Sequence, residues 1–145
     1  MFLGRKSELA VLERAYHSPQ SALIPIYGRR RVGKSELILR FLKDKLGLYY
    51  LGKKAPAQLQ IREFLREAAR VLEEPLLSSL SAGNWSDVFA AIAEKSPKHR
   101  KFILVFDEFQ WTAEAGPELL STLQEFWDRR WKRSANIMII LCGSY

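Results

Sequence analysis

Eight consecutive residues constrain this chain more than any other feature of it. Gly28, Gly33, Lys34 and Ser35 occupy the fixed positions of the pattern G-x-x-x-x-G-K-[ST], with Arg29, Arg30, Arg31 and Val32 between them. The stretch follows a short apolar run at 22–27 and precedes Leu37, Ile38, Phe41, Leu42 and Leu46, which recur at the spacing of one helical face. A strand, a glycine-containing loop and a helix in that order form a phosphate cradle. The glycines let the backbone curl without Cβ clashes, so that successive N–H groups and the helix N-terminus point at one anion. In such a cradle Lys34 reaches the β- and γ-phosphates of a nucleotide, and the Ser35 hydroxyl completes the coordination of Mg²⁺. The backbones of Arg29, Arg30, Arg31 and Val32 belong to the same nucleotide-binding loop. Whether the three arginine side chains add charge there or are solvated stays open.

The remaining pattern alternates between short β-like runs and helical spacing, which predicts an α/β fold. Gly47 is expected to end the first helix, and 48–51 to form a second strand before a turn at 52–56. Ile61, Phe64, Leu65, Ala68 and Leu72 line one helix, and Val88, Phe89, Ile92 and Ala93 a shorter one. The run at 102–106 is apolar without alternation, as suits a central parallel strand covered on both faces. Pro117 is expected at the first position of a helix whose Leu120, Leu123, Phe126, Trp127 and Trp131 share a face, before a last strand at 137–141.

Asp107 and Glu108 close the central run, at the carboxyl edge where open α/β sheets collect ligands. An isolated Asp-Glu pair is ordinarily a solvated turn. Together with the phosphate cradle it reads as a carboxylate for Mg²⁺, Asp107, beside one that polarises an attacking water, Glu108, with Lys34 and Glu108 as the catalytic pair.

A net charge of +7 favours anionic partners without choosing among them. Beyond the loop the cations gather in two clusters, Lys98, His99, Arg100 and Lys101 before the third strand and Arg129, Arg130, Lys132 and Arg133 before the fourth. A solvated rim that compensates helix dipoles is the favoured reading, and DNA contact the minority one. Cys142 is the only cysteine, so no internal disulfide or cysteine-based zinc site can form, and it is expected in the core. No apolar run approaches membrane-spanning length, and the N-terminus has no secretory pattern, so a cytoplasmic location is expected.

The loop as Tyr-Gly-Arg-Arg-Arg-Val-Gly-Lys-Ser, the acids as Phe-Asp-Glu-Phe-Gln-Trp, and the terminal Leu-Cys-Gly-Ser together resemble the archaeal-type ATPase family of P-loop NTPases, within the AAA-plus and STAND group. The resemblance covers nearly the whole chain. It implies a three-layer fold of the additional-strand catalytic-Glu type, with strand order 5-1-4-3-2, and ATP in preference to GTP. It assigns Glu108 as the catalytic glutamate and Ser144 as a polar sensor after the fourth strand. It also matches the box from Phe2 to Leu9, including Arg5, to the segment that cradles adenine. Gln110 and Trp111 follow the family's pattern after the acids, with Trp111 and Phe109 read as packing residues. The expected unit is one P-loop ATPase domain over residues 1–145, incomplete at its C-terminus, whose first strand then keeps an unpaired edge open to self-association. ATP hydrolysis coupled to conformational work in a larger protein is the leading reading; a slow nucleotide-binding switch and a DNA-associated module are the alternatives.

Overall fold

The computed structural model describes residues 2–28 and 33–144, of which 2–6 are described in backbone only. Four parallel strands form one sheet in the order β1-β4-β3-β2, with β1 at Ala22–Gly28, β2 at Gly47–Leu51, β3 at Phe102–Asp107 and β4 at Ile137–Ser144. Helix α1 spans Phe2–His17, α2 Lys34–Leu42, α3 Ala57–Val71, α4 Trp85–Lys95, α5 Phe109–Ala115 and α6 Leu119–Phe126. The order is the one the family resemblance implied, without the strand beyond β1.

The sheet is covered on both faces, and alternation along the two central strands divides the core. Ile103 and Val105 of β3, with Met138, Ile140 and Cys142 of β4, face Leu12 of α1 and Leu37, Ile38 and Phe41 of α2. Phe102, Leu104 and Phe106, with Ile137, Ile139 and Leu141, face α3, α4 and α6. All six residues of β3 are buried, and burial on both faces explains why the first five, 102–106, are all apolar. On the second face Phe106 stacks on Phe64 with centroids 5.3 Å apart, and the Trp85 ring meets Phe64 edge-on at 5.4 Å. These contacts hold the strand rigid one residue before the acids.

Several boundaries differ from the sequence expectation, each for a local reason. Helix α2 stops at Leu42 because Lys43 turns to an extended ψ of 130° and Asp44 takes a positive φ of 65°. Gly47 therefore opens β2 instead of capping the helix, and Leu46 lies outside it. Helix α6 begins two residues after Pro117, at Leu119, behind the bond from Leu119 N–H to the Gly116 carbonyl. That start puts Leu119 and Leu123 in the core and leaves Leu120 43 % exposed. A π-helical turn at Trp127–Trp131 then widens the coil and returns Trp131 to the core. Two helices, α1 and α5, had no assigned counterpart in the sequence pattern.

Parallel strands put the two basic clusters at the amino edge of β3 and β4, opposite the acids. Lys98 Nζ donates to the Ala93 carbonyl at 2.8 Å, near the end of α4. Lys101 Nζ donates to the carbonyls of Ser18 and Gln20 at 3.0 and 2.7 Å, and burial lowers its pKa. Arg129 and Lys132 lie near Glu125 and Asp128, at 3.8 and 3.9 Å. Of these, the Lys98 contact lies at the end of a helix, where a cation complements the dipole.

Candidate functional site

The site is built where the carboxyl ends of β1, β3 and β4 meet the start of α2. Gly33 precedes α2 in the left-handed region, at φ 79° and ψ 21°, a conformation costly for a residue with a Cβ. It brings Lys34 and Ser35 into the first turn of the helix. Lys34 Nζ lies 3.2 Å from the carbonyl of Gly28, the last residue of β1. Ser35 Oγ donates to Asp107 Oδ2 at 2.5 Å, joining positions 72 residues apart in the chain. Arg29, Arg30, Arg31 and Val32 lie outside the described residues. Arg5 lies within α1, and its side chain is likewise outside what is described.

Asp107 is 2 % exposed, so its charge depends on directed donors. Three are present: Ser35, the Tyr49 hydroxyl from β2 on the same Oδ2, and the Glu108 N–H on Oδ1 at 2.8 Å. Burial first, and then the hydrogen bond to Asp107, raise the Tyr49 pKa above the ordinary phenol value, so Tyr49 stays a donor across the physiological range. Cys142, buried beside this carboxylate as expected of a core residue, has its thiol pushed up to about 12 by burial and then by the charge of Asp107.

Glu108 takes a left-handed backbone at φ 49° and ψ 47° as the chain turns from β3 into α5. Its Oε2 accepts from Ser144 Oγ at 2.9 Å and from Gln110 Nε2 at 2.5 Å. Ser144 is the last residue of β4, so the predicted sensor and the predicted glutamate do meet. Behind them, Gly52 N–H donates to the Asp107 carbonyl at 2.8 Å. A Cβ at Gly52 would stand 2.6 Å from the Glu108 carbonyl oxygen, so only glycine allows that approach. Buried Gln60 ties the turn after β2 to α5 by accepting from Thr112 Oγ1 at 2.9 Å and donating to the Ala55 carbonyl at 2.9 Å.

The structure therefore brings together Gly28, Gly33, Lys34, Ser35, Asp107, Glu108 and Ser144. Tyr49 and Gln110 are the site neighbours to which the sequence assigned no role. For Gln110 the only signal was its place in a recurring pattern after the acids. For Tyr49 there was none, because its approach to Asp107 depends on β2 pairing with β3.

Residues 2–145 match the model of an ATPase domain predominantly from Archaea, and the chain belongs to that family. An uncharacterized protein of Methanocaldococcus jannaschii is 31 % identical over 144 residues, 99 % of this chain and 30 % of that protein. An uncharacterized ATP-binding protein of the same organism is 53 % identical over 45 residues, 31 % of this chain and 76 % of that one. Among solved structures, the Walker-type ATPase of Pyrococcus abyssi superposes with a TM-score of 0.60 at 23 % identity, over 96 % of this chain and 44 % of that one. Cdc6p of Pyrobaculum aerophilum superposes with a TM-score of 0.65 at 19 % identity, over 97 % and 39 %. At these identities the two likenesses establish the P-loop ATPase fold. The chain thus spans 30 % of the first of these relatives and under half of both structural neighbours. No helix among the described residues is long and apolar enough to cross a membrane.

Proposed function

We propose that this domain binds Mg-ATP at the carboxyl edge of the sheet and hydrolyses it to ADP and phosphate. The observation that carries the proposal is the Ser35–Asp107 contact at 2.5 Å, which joins the phosphate loop to the acidic strand end. Phosphates would be held by the N–H groups at the start of α2 and by Lys34. The residues fit Mg²⁺: Ser35 and Asp107 offer hard oxygen donors side by side. Held by two protein oxygens, Mg²⁺ would keep waters and nucleotide phosphates as its other ligands. Bound there, Mg²⁺ would neutralise charge on the phosphate oxygens.

Glu108 then accepts a proton from water as the water oxygen bonds to the γ-phosphorus and the bridging bond to ADP breaks. Ser144, within 2.9 Å of Glu108, would sit beside that water and the γ-phosphate. Arg5 remains a nucleotide contact by resemblance, and the arginines at 29–31 enter as backbone of the phosphate loop, with no role given to their side chains. Coupling of the cycle to conformational work in a longer protein rests on the relatives' greater length.

Calorimetry with Mg-ATP and Mg-GTP, on the wild type and Lys34→Ala, tests binding; single-turnover hydrolysis with Glu108→Gln tests chemistry. Expected are ATP-selective binding that Lys34→Ala weakens at least about 10-fold, and a Glu108→Gln rate lower by roughly 100-fold or more with ATP still bound. Turnover undiminished in Glu108→Gln would sink the assignment.

A further inference from the structure

The hydrogen bonds around Glu108 close into a triangle, and one corner has no assigned role. Gln110 Nε2 reaches Glu108 Oε2 at 2.5 Å and Ser144 Oγ at 3.3 Å, while Ser144 Oγ donates to the same Oε2 at 2.9 Å. A side-chain amide has two N–H protons, and this one has an acceptor for each. Its orientation is fixed by the same contacts, since a flipped amide would set its carbonyl oxygen against the carboxylate. The other end of the group is poorly served. Gln110 Oε1 is buried and has no hydrogen-bond partner among the described residues, an arrangement that costs folding free energy. A residue kept for packing alone would not need that carbonyl there.

The geometry points to Gln110 as a positioning residue for Glu108: with Ser144 it pins Oε2, so that Oε1 of the same carboxylate is the oxygen presented to the attacking water. The placement follows from the fold. Glu108 turns through a left-handed backbone, α5 starts immediately, and Gln110 in its first turn lies beside the end of β4. A carboxylate held at one oxygen loses rotational freedom before the reaction, which is the gain expected from preorganisation. Gln110 acts through Glu108 and does not touch the reacting atoms.

This inference rests on the hydrolytic reading above, and the test separates the two. Single-turnover hydrolysis at saturating Mg-ATP is measured for the wild type, Gln110→Met, Ser144→Ala and the double variant, with ATP affinity by calorimetry and fold by circular dichroism. Gln110→Met should slow the chemical step roughly 10-fold and leave ATP affinity within about twofold. Because both donors serve one oxygen, their losses should not add: the cost of Gln110→Met in the Ser144→Ala background should differ clearly from its cost alone. Gln110→Glu, a second variant in case the methionine perturbs folding, puts a like charge against Glu108 and should be slow with ATP still bound. Equal losses in both backgrounds, or a loss of affinity in place of rate, would overturn the role of Gln110 and leave the hydrolytic reading intact. Wild-type turnover in Glu108→Gln would overturn both.

Discussion

Asp107 sets the character of its surroundings because it is a buried carboxylate reached by hydroxyls from two different elements, α2 and β2. The same burial and negative charge act on Cys142, at 0 % exposure, whose thiol ionises near 9.0 when unfolded and only at about 12 in the fold. Below pH 9 the thiol is protonated folded or unfolded and stability does not depend on it; as pH rises from there towards 12 stability falls, because the unfolded chain loses the proton first. At pH 8 Cys142 should therefore resist a thiol reagent such as dithionitrobenzoate in the native state and react stoichiometrically in denaturant. Rapid labelling of the native protein would contradict the placement. At this scale the short motifs were legible: Gly33, Lys34, Ser35, Asp107 and Glu108 each need a fixed residue type at a fixed spacing, and Ser144 came through resemblance. Tyr49 was not legible, because its hydroxyl meets a carboxylate 58 residues away only after the strands pair.

At the scale of elements, β3 and β4 declared themselves as unbroken apolar runs, because a strand buried on both faces has nowhere to put a polar side chain. The helices after the acids were harder to read. Helix α5 has seven residues, too few to display a period, and the coil before Trp131 passes through a π-turn that breaks the ordinary 3.6-residue rhythm. A strict helical face drawn through Trp131 consequently selected Leu120 with Leu123, whereas the structure buries Leu119 with Leu123. Urea unfolding distinguishes the two faces. Leu119→Ala should cost roughly 2–5 kcal/mol by leaving a cavity in the core, and Leu120→Ala less than about 0.5 kcal/mol. The reverse order would restore the face expected from the sequence.

At the scale of the whole molecule, the sheet separates two surfaces of different character. Phosphate chemistry gathers at the carboxyl edge, while the two basic clusters lie at the amino edge, several of their cations engaged with carbonyls or acids. The lateral edges also differ. Among the described residues β1 is bonded only to β4, so one side of an apolar strand presents backbone groups without a ladder partner. Proteins that leave such an edge open guard it with charge, proline or a covering element. Here Pro25 interrupts the middle of β1, but the strand carries no charged residue, and Tyr27 near its end is 66 % exposed. One proline removes one donor and leaves its neighbours able to pair. Sedimentation equilibrium over a wide concentration range should therefore show the average mass of this chain rising with concentration. Tyr27→Lys, which puts a cation on the open edge, should hold it closer to the monomer. A single monomeric mass throughout would mean that Pro25 and the local twist suffice to close the edge.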